Sequence, residues 1–189
     1  EKPAPADKIV GDYQMQFYSN TLGMINNLGV KGSSGNFFGG FRVGHKTHAD
    51  YLQGGGDYVP NSRFNELTFN ANTGYSGKIG TFKVFYDYFK QDLGMTVPDA
   101  VPLINERGRE NENWYQDLKH QLVSSQNSLF LGKFKWDINA AYQLADRKLQ
   151  TTLDFPFVEM NLKTFTYESK LYFPSDIKSE YILGVQGMY

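Results

Sequence analysis

Phe134-Lys135-Trp136-Asp137-Ile138-Asn139-Ala140-Ala141-Tyr142-Gln143-Leu144-Ala145-Asp146-Arg147 is the stretch that decides how this chain is read. Phe134, Trp136, Ile138, Ala140, Tyr142 and Leu144 share one parity, whereas Lys135, Asp137, Asn139, Ala141, Gln143 and Arg147 share the other. Successive side chains of a strand point to opposite faces, so the stretch makes one apolar and one polar surface. A helix would need its apolar residues three and four apart.

The same alternation recurs on both sides of this stretch. Leu67, Phe69, Ala71 and Tyr75 oppose Glu66, Thr68, Asn70 and Asn72; Phe82, Val84, Tyr86 and Tyr88 oppose Lys83, Asp87 and Gln91. Phe37, Phe41 and Val43 oppose Arg42, Lys46, His48 and Asp50. About nine strands are expected, at 11–20, 22–32, 36–50, 64–76, 79–92, 114–131, 133–150, 157–173 and 177–189. Short turns fall at Ser33-Ser34-Gly35-Asn36, Ser76-Gly77-Lys78, Gly132-Lys133 and Pro174-Ser175-Asp176. Longer polar loops fall between them at 51–63 and 93–113, with a shorter one at 151–156. Short turns at one end and long loops at the other mark an outer-membrane β-barrel, with the polar parity facing the lumen. The parity changes between Val158, Met160, Leu162 and Phe165, Tyr167, Leu171, Phe173, which calls for a bulge near Lys163–Thr164. His120 lies where the two faces are poorly separated, and its side is left open.

Composition agrees with this reading. Aromatic residues make up 16% of the 189 residues, yet the chain is hydrophilic on average, so its apolar groups must be finely sorted. No apolar run approaches the ~20 residues of a membrane helix. A barrel strand needs none, because only alternate residues meet lipid. The formal net charge of −1 gives nucleic acid no basic face to bind. With no cysteine there is no disulfide frame and no thiolate chemistry. Residues 1–10, opening Glu1-Lys2-Pro3-Ala4-Pro5-Ala6-Asp7, read as a polar lead-in, and 11–189 as an incomplete barrel domain ending within an alternating run.

Several local motifs carry a resemblance. His48-Ala49-Asp50-Tyr51 is followed by Gln53-Gly54-Gly55-Gly56-Asp57 and then by Val59-Pro60-Asn61-Ser62-Arg63-Phe64. Asn72-Thr73-Gly74-Tyr75, Phe85-Tyr86-Asp87-Tyr88-Phe89, Asp92-Leu93-Gly94-Met95 and Trp114-Tyr115-Gln116-Asp117-Leu118 continue the series up to the Trp136 strand. Over about 11–150 this order resembles the start of the barrel of TonB-dependent outer-membrane receptors. The resemblance implies a 22-stranded barrel with an N-terminal plug, whose energy-coupling box and plug motifs are absent from these residues. It further implies active import of a scarce solute such as a metal chelate, siderophore or metal ion. The partners implied are the TonB complex acting through the plug, outer-membrane lipid, the transported solute and a surface lipoprotein. No cofactor is implied.

The expected ligand contacts are Arg42, Lys46, His48 and Asp50 on the lumen face and Asp57 and Tyr58 in the Gly-rich loop. His48 and Asp50 are also the candidates for a metal, since imidazole and carboxylate together ligate transition metals. His45 has the opposite parity to His48 and cannot join it from the same strand, so a charged lumen lining is the simpler reading. Gly54-Gly55-Gly56-Asp57 lacks the Lys and helix of a phosphate loop and the carboxylate spacing of a calcium loop. Asn105-Glu106-Arg107-Gly108-Arg109-Glu110-Asn111-Glu112-Asn113 reads as a solvated, mixed-charge loop apex. Aromatics at strand ends read as interfacial girdles. No nucleophile elbow, zincin helix or dinucleotide fingerprint is present, so an enzyme is not expected. The rival readings are a soluble β-sandwich or barrel that holds glycans on its aromatics, and a plug-free porin-like barrel.

Overall fold

The computed structural model describes residues 7–152, 155–174, 179 and 181–189. They form nine strands: β1 (Ile9–Tyr18), β2 (Gly23–Ser34), β3 (Phe37–His48), β4 (Phe64–Gly77), β5 (Gly80–Gly94), β6 (Tyr115–Leu131), β7 (Phe134–Thr152), β8 (Phe155–Tyr172) and β9 (Ile182–Met188). Each pairs antiparallel with the next, giving one open sheet in strict chain order. The expected all-β, up-and-down antiparallel architecture is therefore present, with strand ends shifted by a few residues.

Register shows why the alternating pattern works across the whole sheet. Phe41 lies opposite Ala71, Ala71 opposite Tyr86, Tyr86 opposite Val123, Val123 opposite Tyr142 and Tyr142 opposite Phe165. Directly opposed residues share a face, so these six form one apolar row. The row of Arg42, Asn70 and Asp87 lies on the other side. His120 is now placed: it faces Phe89, which faces Thr68, so it belongs to the polar side. Among the described residues no second layer covers either face. Among the described residues the only buried apolar side chains are Ala49, Ala100 and Tyr115, all in or beside the long loops. Phe17, Phe37, Phe41, Tyr142, Phe165 and Leu183 are all exposed.

The apolar band runs obliquely to the register rows. On β1 it reaches Phe17, whose row continues through Met24, Thr47, Asn65, Asp92, Asp117 and Lys148 to Glu159 on β8. On β8 itself the band stops at Phe165, six residues short of Glu159. With a rise of about 3.3 Å per residue and about 4.8 Å between strands, that drift over seven strand spacings corresponds to a tilt of roughly 30°.

Two expectations need correction. The β7–β8 register is unbroken from Lys135–Tyr172 to Leu149–Val158, so there is no bulge at Lys163–Thr164. The irregularity lies between Leu149 and Thr152, opposite Pro156. Proline has no N–H to give a ladder, so the strand end is where such a break costs least. Val158, Met160 and Leu162 consequently stay on the polar side. Loop lengths alternate as expected through β7. Beyond it, β7 and β8 are joined through residues 153 and 154 alone, and β8 and β9 through 173–181. The expected turn at Pro174-Ser175-Asp176 and residues 1–6 of the lead-in lie at least partly outside the described residues.

Gly80 begins β5 at φ 149°, and a Cβ there would lie 2.2 Å from the Ser128 carbonyl oxygen. Gly80→Ala therefore lowers stability by more than about 1 kcal/mol, read from the urea midpoint. Gly55→Ala, in open space, stays within about 0.5 kcal/mol of the parent.

Candidate functional site

The buried side chains of the described residues gather where the three connections 19–22, 49–63 and 95–114 meet at one end of the sheet. Ala49 and Asp50 leave β3 just past His48 and turn inward. Asp50 is completely buried. Its carboxylate accepts from the Arg63 backbone N–H at 3.0 Å, from Arg63 Nε at 3.2 Å and from Arg63 Nη2 at 2.6 Å. The guanidinium also donates to the carbonyls of Glu106 at 2.8 Å and Glu110 at 3.1 Å. One planar fork thus ties the β3–β4 connection to the β5–β6 loop, a geometry that lysine cannot reproduce. Gly108 is part of the same fit, since a Cβ on it would come within 2.3 Å of Arg63 Nη1.

Two further arginines of the long loop close the assembly. Arg107 donates through Nε to the Asp50 carbonyl at 2.7 Å and through Nη2 to the Asn20 carbonyl at 2.6 Å. Arg109 donates to the Leu22 carbonyl and, at 3.4 Å, to the carbonyl and hydroxyl of Thr47. Asn61 is completely buried and holds φ 60°, a left-handed value that asparagine tolerates. Its Nδ2 reaches the carbonyls of Met95, Asn113 and Trp114 at 2.8–3.0 Å, pinning both stems of the loop. Three connections therefore act as one latched cap.

His48 packs against the edge of this cap. Its ring stacks on Phe64 with centroids 4.4 Å apart, and Nδ1 lies 2.8 Å from the Thr21 hydroxyl. It is the last residue of β3, five positions beyond the end of that strand's apolar run at Val43. Burial, reinforced by the Arg109 and Lys46 charges, lowers its pKa below the ordinary histidine value. The imidazole is therefore neutral at neutral pH.

The expected site residues separate into distinct places. Asp50 lies beyond the strand rather than on the lumen wall, and its oxygens are committed to Arg63. A metal there would have to displace the guanidinium, and no group of three or more His, Cys, Asp or Glu gathers among the described residues. Lys46 pairs with Glu66 at 2.7 Å, and Arg42 makes a two-pronged pair with Asp12 at 2.7 and 2.9 Å. Both are on the polar face, as the parity implied. Arg42 lines a concavity with Phe38, Asn70, Asn72, Lys83 and Phe85 near the short-turn end, far along the strand from His48. Asp57 and Tyr58 lie in a small hairpin in which Leu52 bridges Tyr58 and Gln53 N–H donates to the Asp57 carbonyl at 2.8 Å. Asp57 is exposed there.

The segment 105–113 departs from its expected solvated apex. Arg107 and Arg109 turn inward onto backbone carbonyls, and Arg63 and Asn61 are the residues that sequence reasoning passed over. The available signal was the pairing of rigid guanidinium forks around one glycine, Arg107-Gly108-Arg109, in place of lysines. No protein-family model matches the chain, and no curated protein matches it.

Asp50→Ala leaves the Arg63 guanidinium buried without its counter-ion and costs about 3–5 kcal/mol. Brief trypsin digestion is expected to cleave this variant after Arg107 and Arg109 while sparing the parent.

Proposed function

We propose that this sheet is part of the wall of an outer-membrane β-barrel, and that the barrel is an import receptor of the TonB-dependent kind. The carrying observation is the exposed apolar band. On β7 it runs from Phe134 to Leu144, beyond which the same face carries Asp146 and Lys148. Ten residue steps at a tilt of roughly 30° make a band roughly 28 Å high, against about 25 Å for barrel bands and about 30 Å for the hydrocarbon core. The tilt approaches the about 35–45° of membrane strands.

Above the band the outward face turns charged all at once: Lys90, Asp92, Asp117, Lys119, Asp146, Lys148 and Glu159 all lie towards the long loops. This matches strands that continue past the headgroups into water. The polar face carries the ion pairs Arg42–Asp12 and Lys46–Glu66, which suit a hydrated lumen. The particular receptor class rests on the motif resemblance over 11–150, several of whose residues meet in the cap: Asp50, Asn61, Arg63 and Trp114. On this reading the cap stands at the outer mouth. The scarce solute passes the lumen face, and a plug coupled to TonB supplies the energy. The solute classes that fit are metal chelates, siderophores and metal ions.

Substitutions on the outward face test the membrane placement. Ala140→Arg, at mid-band, costs about 2–4 kcal/mol of stability in lipid vesicles, whereas Asn161→Arg, on the same face but above the band, costs about 0–1 kcal/mol. Equal, small effects would mean that both positions meet water. For the import mechanism, uptake of a labelled ferric chelate by cells carrying the intact receptor should stop when the proton gradient is collapsed. Uptake that persists unchanged contradicts energy coupling.

A further inference from the structure

Among the described residues, the polar face carries an aliphatic region around a charge. At the loop end of β6, β7 and β8, Arg147 lies opposite Leu118 on one side and Met160 on the other. The adjoining rows pair Leu149 with Val158 and Ala145 with Leu162. Directly opposed and diagonal neighbours on a sheet face lie within about 8 Å, so these residues flank the arginine on both sides. Its remaining diagonal neighbours, Gln116 and His120, carry no acid. Val158, Met160 and Leu162 are 40, 58 and 57% exposed, so the apolar surface is open rather than packed.

The charge at the centre distinguishes this patch from a misplaced strand face. Arg147 is exposed and has no hydrogen-bond or ion-pair partner among the described residues. Arg42 and Lys46, on the same face, both hold carboxylates. The exposed guanidinium can offer a carboxylate a two-pronged, charge-assisted bond, and a ligand chain laid over the flanking aliphatic side chains would lessen the water around that bond. The surrounding leucine, valine and methionine surface gains from covering hydrocarbon.

We infer that Arg147 and the apolar patch around it form a binding site for a small amphipathic anion, a carboxylate carried on an aliphatic chain. The carboxylate pairs with Arg147, and the chain lies over Met160, Leu162 and Val158. This deepens the import reading, on which it rests for its role, by naming solute chemistry at the outer part of the lumen.

The test is calorimetric titration of butanoate, hexanoate and octanoate into the protein in phosphatidylcholine nanodiscs, with empty nanodiscs as the blank. Affinity should rise about three- to fourfold per added methylene. Arg147→Gln should weaken octanoate tenfold or more, leave 1-octanol unchanged and preserve the far-ultraviolet β signal. Arg147→Lys should recover part of the loss, and Met160→Gln should flatten the chain-length dependence. The inference is overturned if octanoate binds no better than to empty nanodiscs, or if Arg147→Gln binds it like the parent. It is also overturned if a thiol placed by Leu162→Cys is shielded from labelling in the ligand-free protein, which would mean that a protein segment covers the patch. Fatty-anion binding combined with a small cost for Ala140→Arg would retain this site and remove the membrane reading.

Discussion

A single sheet must find a medium for each of its faces, and only one face here suits water. The described strands pair edge to edge into one layer, so their side chains do not bury one another across an interior. Hydrophobic stabilisation in an ordinary domain comes from apolar area removed from water at about 25 cal/mol per Å². This sheet leaves Phe17, Phe37, Phe41, Tyr142, Phe165 and Leu183 uncovered on one side. Such a face is compatible with a folded state when hydrocarbon lies against it. Strand pairing satisfies the backbone polar groups between neighbours, while the outer edges of β1 and β9 are open, and a bilayer would require those edges to be paired as well.

The cap answers a different problem. Long connections carry many backbone carbonyls that water or side chains must satisfy. Arg63, Arg107, Arg109 and Asn61 do this for three connections at once, and buried Asp50 fixes the orientation of the first arginine. The cost of burying a charge pair is repaid here by full hydrogen bonding on the carboxylate, and removal of either partner would leave the other stranded. The cap thus holds the β3–β4 and β5–β6 loops to the β1–β2 connection as one body. His48 is packed into its margin, between Phe64 and the Thr21 hydroxyl.

Strand identity was legible because a period of two is a strong signal over ten or more residues, as in Phe134–Leu144. The short turns were legible for the same reason, since Gly35, Gly77 and Gly132 interrupt the alternation. The β8 register was not. Val158, Met160 and Leu162 look like a lipid-facing run until the ladder with β7 fixes them on the other side, and local pattern carries no information about the partner strand. Neither could sequence reveal that Asp50 and Arg63 are mutual partners, because their meeting depends on a chain reversal after β3. The mixed charges of 105–113 were misread as solvated because composition counts charges without showing that their donors point at carbonyls. Parity alone did place Arg42 and Lys46 on the polar face.

The most direct measurement of the central claim places a fluorophore on each parity of β7 in the protein reconstituted in vesicles. The chain contains no cysteine, so Tyr142→Cys and Gln143→Cys provide unique labels within it. With lipids brominated along their acyl chains, the label at 142 should be strongly quenched and the label at 143, one residue further along the strand, should not. Equal quenching at both positions, or quenching at neither, would contradict a sheet whose apolar face lies against the bilayer.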